Sequence, residues 1–136
     1  MHTNGGAHPG GFGHERLDAY RASIDFFRIV VDLVRKVQPS DRALADQLHR
    51  AAASITLNIA EGAGEFSAKE KARFYRIALR SATECAAVLD LLAVSRGREI
   101  AARAPGRQIL CRIVSMLTRM TQSTASRPRV PPKPPE

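Results

Sequence analysis

The chain has no tryptophan, aromatic residues make up 5% of its 136 residues, and it has only two cysteines. Cys85 and Cys111 lack metal-ligand spacing, so we expect reduced thiols that fill the core as small apolar side chains. No run approaches the roughly 18 apolar residues of a membrane span, and residues 1–6 lack the charged and apolar regions of a signal peptide. We therefore expect a cytoplasmic protein with one domain and one core.

Acidic residues are also scarce, with 13 aspartates and glutamates against 21 lysines and arginines, which gives a net charge of +8. Residues 16–61 carry a net charge of +1, whereas residues 65–119 carry +6. A basic half favours a polyanionic partner, such as RNA, DNA or an acidic protein surface, over a neutral small molecule. A second interpretation stays open, in which arginine is simply used freely on solvated faces.

Two helices are predicted before residue 64. The first runs from Glu15 to Val37 with a coiled-coil-like seam at alternating steps of three and four, formed by Leu17, Tyr20, Ile24, Phe27, Val31 and Val34. Pro39 ends it, and the second covers residues 41–61 before Gly62-Ala63-Gly64 terminates it. The apolar face of the second helix comprises Leu44, Leu48, Ala51, Ala52, Ile55 and Ile59.

Two more helices are predicted after residue 64. The capping box Ser67-Ala68-Lys69-Glu70 starts the third, whose core face comprises Phe74, Ile77, Ala78, Ser81, Cys85, Val88, Leu89 and Leu92. After a basic connector over 96–104, the fourth covers about 107–122, with Leu110, Ile113, Val114, Leu117 and Met120 facing in. The sequence thus predicts a helical domain over 15–123, between a glycine-rich disordered arm (1–14) and a proline- and arginine-rich disordered tail (124–136).

A polar stripe follows the second helix, formed by Arg50, Ser54, Asn58 and Glu61 at positions i, i+4, i+8 and i+11. One interpretation is a catalytic or ligand site on this face. We favour a buried network of hydrogen bonds and ion pairs that fixes helix register or a subunit interface, because buried ionic groups usually occur paired. The face has no cysteine or second carboxylate to supply a nucleophile and a base. Leu57 lies among the four, which indicates cover by another helix or subunit.

A basic ridge follows one side of the third helix, formed by Lys69, Arg73, Arg76 and Arg80. Arrays of arginine and lysine neutralise the regularly spaced phosphates of nucleic acids. The ridge is therefore the main functional candidate, extended by Arg103 and Arg107. Tyr75 lies beside it and would either stack on an unpaired base or pack inside. The alternative is a solvated face on which Glu70 and Glu84 pair locally.

The same region carries a family resemblance, in Arg50-Ala51, Ser54, Asn58-Ile59-Ala60-Glu61-Gly62, Ser67, Lys69-Glu70, Phe74, Ile77-Ala78, Ser81 and Glu84. This pattern resembles the signature of four-helix-bundle proteins encoded in intervening sequences of bacterial 23S ribosomal RNA genes, which are similar in fold to accessory proteins of diversity-generating retroelements. The resemblance implies an all-α, antiparallel up-down-up-down bundle, assembled as a homopentamer, with no established enzymatic activity and a suspected role in binding nucleic acid. Ser81 and Glu84 match the pattern, and we expect them to partner the polar stripe.

The first function hypothesis is a non-enzymatic oligomer that binds RNA or DNA through a basic face on helices three and four. The alternative is an oligomeric scaffold for a protein partner such as a reverse transcriptase. A hydrolase or nuclease ranks lowest, because inward-facing acidic residues are few and no pair has metal-ligand spacing. We expect no cofactor, no bound metal and no membrane partner.

Overall fold

The computed structural model describes residues 11–96, 104–125 and 134–135. These residues form four helices, α1 (Gly11–Arg35), α2 (Arg42–Gly64), α3 (Ala68–Arg96) and α4 (Ala104–Ala125), with a 3₁₀ turn at Pro39–Asp41 before α2 and no strand in the described segments. The all-α prediction is confirmed. Helix α1 begins four residues earlier than predicted, and α4 begins three residues earlier. Most of the predicted arm, tail and connector, including Arg103, lies outside the described residues.

Each helix packs mainly against two others, because the extensive contacts join α1 to α2, α2 to α3, α3 to α4 and α4 to α1. Helices α1 and α3 therefore lie on a diagonal of the bundle. Residues late in α2 contact residues early in α3, as Gly62 lies against Tyr75 whereas Gln47 bonds to Glu84. The Ser67 half of the predicted capping box forms, since the Glu70 amide donates to the Ser67 hydroxyl at 3.3 Å, whereas the Glu70 carboxylate bonds to Arg73.

The predicted inner faces of α2 and α4 are confirmed at their centres. Leu48, Ile55, Ile59, Ile113 and Leu117 are fully buried in one shared core. Each buried side chain of this size stabilises the fold by about 1.5–3 kcal/mol relative to an exposed one. The predicted residues at the two edges of these faces, Leu44 and Val114, are only partly buried.

Helix α1 turns a different side to the core from the predicted seam. Its buried apolar residues are Ala19, Ala22, Phe26, Val30 and Leu33, together with Val37 just beyond the helix. In the seam, Leu17 is 44% exposed and Tyr20 is 39% exposed. Both series repeat at steps of three and four, so spacing alone does not separate them. The observed core side includes two alanines, whose small side chains let the neighbouring helices approach α1 closely.

The two cysteines occupy opposite environments. Cys85 is fully buried, which confirms that it fills the core, whereas Cys111 is exposed, so its predicted burial is wrong. Cys111 precedes the buried Ile113 by two residues, or about 200° around the helix, and therefore points away from the core. On α3 the buried side is centred on Ala78, Ala82 and Cys85, and the predicted core residues Phe74 and Ile77 are partly exposed at its edge.

Candidate nucleic-acid interface

Three uncharged polar side chains are joined where α2 and α3 meet. The hydroxyl oxygens of Ser54 and Ser81 are 2.8 Å apart. The Ser81 hydroxyl donates to the Ile77 carbonyl at 3.1 Å, so the Ser54 hydroxyl is the donor in the serine pair. Asn58 Nδ2 in turn donates to the Ser54 hydroxyl at 3.0 Å and to the Ser54 carbonyl at 2.8 Å. We call Ser54, Asn58 and Ser81 the polar trio; its bonds hold α2 and α3 in register.

The charged members of the predicted network do not join this trio. Arg50 and Glu61 are exposed, and neither side chain has a hydrogen bond or ion pair within the described parts of the chain. They stand eleven residues apart, or about 16 Å along the helix axis, which is too far for a mutual pair. Glu84 accepts a hydrogen bond from Gln47 Nε2 at 2.9 Å instead of bonding to the stripe. The expected buried ion pair is therefore absent from the described residues.

The end of α2 is closed by residues of α3. Lys71 Nζ donates to the carbonyls of Gly62 and Ala63, both at 3.2 Å, and so satisfies two acceptors that a helix end leaves without intrahelical partners. Tyr75 is only 4% exposed. Its ring lies so close to Gly62 that a Cβ atom added there would stand 2.5 Å from Tyr75 Cε1. Of the two alternatives for Tyr75, the structure therefore shows packing inside the protein and not base stacking.

The Tyr75 hydroxyl lies near a cation of α1. Burial raises the pKa of Tyr75, and the charge and hydrogen bond of Arg16 partly offset that rise. Neither this contact nor the fit of Tyr75 on Gly62 was predicted from the sequence. Gly62 within the Asn58–Gly62 motif is the one sequence signal that could have indicated a close approach at this point.

The basic ridge lies on the outer side of α3. Lys69, Arg73, Arg76 and Arg80 are all exposed. Arg73 Nε bonds to Glu70 Oε2 at 3.0 Å, and its Cζ lies 4.5 Å from the centre of the Phe74 ring. In the part of the chain that the structure describes, the side chains of Lys69, Arg76 and Arg80 have no hydrogen bond or ion pair. The ridge therefore holds one cation paired within the helix and three cations available to a partner.

Of the two residues predicted to extend the ridge, Arg103 lies outside the described residues, and Arg107 is exposed but paired. Arg107 Nη2 bonds to Asp90 Oδ1 at 2.6 Å, so an acidic residue of α3 already pairs with it. Beyond Arg80, the outer side of α3 continues with Ala87, Leu91 and Val94, which are exposed and uncharged. The unpaired cations of the ridge itself therefore lie in the first half of α3.

The described residues hold no group of three or more histidine, cysteine, aspartate or glutamate side chains placed to bind a metal ion. Within the same residues, no helix is both long enough and apolar enough to cross a membrane.

A family model described as 23S rRNA-intervening sequence protein matches residues 15–119, which include the whole of α2 and α3 and most of α1 and α4. The polar trio and the basic ridge both lie within this span. No curated protein has a sequence that matches the chain significantly.

Proposed function

Since this chain belongs to the 23S rRNA-intervening sequence protein family, we propose that it is a non-enzymatic protein that binds the phosphate backbone of RNA or DNA through the basic ridge of α3. One observation carries the proposal: Lys69, Arg76 and Arg80 are exposed, lie on one side of one helix, and have no intramolecular partner among the described residues.

The physical reason is the release of counterions. An unpaired surface cation is free to replace the counterions condensed on a nucleic acid, and each phosphate neutralised in this way adds to the affinity at low salt. Lys69 and Arg80 are separated by about 16 Å along the helix axis, so the ridge can span several phosphates. Arg73 contributes less, because binding phosphate requires it to weaken its contact with Glu70.

No ring on α3 beside the ridge is open for base stacking among the described residues, whereas Phe66, just before α3, is fully exposed. Tyr75 is buried, and the guanidinium of Arg73 lies over the ring of Phe74. The contacts of the ridge itself are therefore to phosphates, which position a nucleic acid without distinguishing its sequence. We expect the affinity to depend strongly on salt and weakly on base sequence.

The proposal includes an up-down-up-down bundle and a homo-oligomer. The reversed order of contacts between α2 and α3 supports this topology, and the family resemblance implies a homopentamer. Repetition of the ridge in each subunit would turn a weak local attraction into a strong overall one, provided that one nucleic acid reaches several subunits.

A second candidate function is a scaffold for a protein partner such as a reverse transcriptase. The exposed apolar residues Leu91 and Val94 on the outer side of α3 favour it, because they suit a protein surface better than a phosphate backbone. This candidate predicts that the purified oligomer captures the partner after nuclease treatment and that the Lys69–Arg80 ridge is dispensable.

The test of the nucleic-acid proposal compares two double variants with equal net charge. Arg76→Glu with Arg80→Glu removes two unpaired cations of the ridge, and Arg42→Glu with Arg112→Glu removes two exposed arginines elsewhere. Binding to fluorescent duplex RNA and DNA is measured by anisotropy at low salt. We expect the ridge variant to lose at least about tenfold more affinity than the control, since it replaces phosphate contacts with repulsion. Equal losses would show that only net charge matters and would reject the ridge.

A further inference from the structure

Phe66 lies in the short connection between α2 and α3 and is fully exposed, more so than any other large apolar side chain among the described residues. Other exposed apolar side chains, such as Leu57 and Leu91, project from a helix and are partly covered by their neighbours. The Phe66 ring has no such cover. A phenyl ring with its faces in solvent can stack on a planar aromatic ligand.

The local sequence explains why the fold leaves this ring uncovered. Ser67 caps α3, so Phe66 precedes the cap, and a residue in that position often packs against an apolar residue four positions after the cap. Here that residue is Lys71, whose Nζ donates to the carbonyls of Gly62 and Ala63 at the end of α2. The apolar contact therefore does not form, and Phe66 has no role in closing the bundle.

The basic ridge begins directly after the ring. Lys69 follows Phe66 by three residues, so their Cα atoms are at most about 11 Å apart. The other unpaired cations of the ridge continue along α3. Residues 65–80 contain five basic and two acidic residues, a net charge of +3, and one of the two acids, Glu70, is paired with Arg73. An exposed ring thus stands at the head of an array of cations.

We propose that Phe66 and the basic ridge together bind single-stranded RNA or DNA, with one unpaired base stacked on the Phe66 ring and the neighbouring phosphates on the ridge. The inference rests on the proposed function and names the class of nucleic acid that it serves. Proteins that hold single strands without sequence preference combine cations along the backbone with aromatic rings on which bases stack. The start of α3 supplies both within a few residues.

A duplex cannot use the ring in this way. Its bases are already paired and stacked on one another, and extruding one of them costs free energy. The ridge contacts phosphates, which both forms of nucleic acid present. Phe66 therefore adds affinity for a single strand and none for a duplex, whereas the cations serve both. Every base has a face that can stack, so this preference depends little on sequence.

The surroundings of the ring favour a nucleic acid over a protein partner. A protein contact of this kind uses a continuous apolar patch. The residues on either side of Phe66 in the chain, Glu65 and Ser67, are polar. The exposed apolar residues Leu91 and Val94 lie about 35 Å or more from the start of α3. A single ring followed by cations suits a base and its phosphates instead.

The first test uses the absence of tryptophan from the chain. Phe66→Trp introduces a single indole, whose fluorescence is quenched when a base stacks on it. Val94→Trp, at an exposed site elsewhere on α3, is the matched control. Oligouridylate and oligothymidylate serve as single-stranded RNA and DNA without internal pairs. We expect both to quench the fluorescence of Phe66→Trp and to leave that of Val94→Trp unchanged.

A second variant measures the contribution of the ring to affinity. Phe66→Leu keeps an apolar side chain without an aromatic face, and the full exposure of the site lets the fold accept the change, which circular dichroism checks. By anisotropy, this variant should bind each single strand at least about fivefold more weakly than the wild-type chain, the lower end of the range for one stacked base. Its affinity for a duplex of equal length should stay within about twofold of the wild-type value, because the phosphate contacts are unchanged.

Single-strand affinity that Phe66→Leu leaves unchanged would overturn the inference, as would an equal loss for the duplex, or fluorescence of Phe66→Trp that a bound strand leaves unquenched. These outcomes are separable from the proposed function. If Arg76→Glu with Arg80→Glu weakens binding of both forms and Phe66→Leu weakens neither, the ridge stands and the single-strand site fails. If the wild-type chain binds neither form at low salt, both proposals fail.

Discussion

Two sides of α3 contain polar residues at helical spacing, yet the structure uses them differently. On the side towards α2, Ser81 joins Ser54 and Asn58 in bonds that leave no member without a partner. On the outer side, Lys69, Arg76 and Arg80 have no partner among the described residues. Paired groups hold the helices together, and unpaired cations are available for binding. We therefore expect substitutions on the first side to change stability and substitutions on the second to change binding.

The largest loss of stability should come from Gly62→Ala, at the end of α2 that packs against α3. The added methyl group would stand 2.5 Å from the buried Tyr75 ring, and overpacking of this kind costs about 1–3 kcal/mol. Chemical denaturation followed by circular dichroism measures the change. Gly64→Ala is the matched control, because nothing lies within 4 Å of a Cβ atom there. Equal stability of the two variants would show that Tyr75 does not constrain Gly62.

A smaller loss of stability should follow from Ser54→Ala. It removes the donor to Ser81 and the acceptor for Asn58, which costs about 0.5–1.5 kcal/mol. The control is Thr83→Ala, whose hydroxyl bonds only to the Leu79 carbonyl in its own exposed turn. Chemical denaturation should give a lower free energy of unfolding for Ser54→Ala than for Thr83→Ala. Both variants should keep the wild-type affinity for duplex RNA. A loss of RNA affinity in Ser54→Ala alone would place the polar trio in the binding site.

The smallest change of stability is expected on the ridge. Arg76→Gln should alter the free energy of unfolding by less than about 0.5 kcal/mol, because the side chain has no partner to lose. It should nevertheless make the dependence of log affinity on log salt shallower by about 1. Arg73→Gln should change this slope less, since Glu70 already pairs with Arg73. A larger effect at Arg73 than at Arg76 would contradict the division into paired and unpaired cations.

The two thiols offer a check that leaves the sequence unchanged. Burial, reinforced by the charge of Glu84, raises the pKa of Cys85 to about 12, whereas Cys111 is exposed. At pH 8 a maleimide should label one thiol per folded chain and two per unfolded chain, as counted by mass spectrometry. The same shift of pKa predicts stability that is present below the unfolded thiol's value of 9.0 and falls as pH rises from there towards 12. Rapid labelling of both thiols in the folded chain would contradict the burial of Cys85.

The sequence predicts the local features of this molecule better than its long-range ones. The apolar faces of α2 and α4 and the cap at Ser67 depend on spacing within one helix, so the pattern of residues predicts them. The prediction of which side of α1 enters the core is wrong. Two apolar series on α1 share the same spacing, and only packing against the other helices selects one of them. The pairing of Arg107 with Asp90 and the fit of Tyr75 on Gly62 join different helices, which spacing within one element does not predict.

The most direct test of the central claim is the salt dependence of binding by the wild-type protein. Affinity for one duplex RNA is measured by anisotropy across a series of potassium chloride concentrations. If Lys69, Arg76 and Arg80 each neutralise one phosphate, log affinity should fall with log salt with a slope of about −3 or steeper, and Arg76→Glu with Arg80→Glu should make that slope shallower by about 2. No binding at low salt, or a slope that the double variant leaves unchanged, would contradict a phosphate-binding ridge on α3.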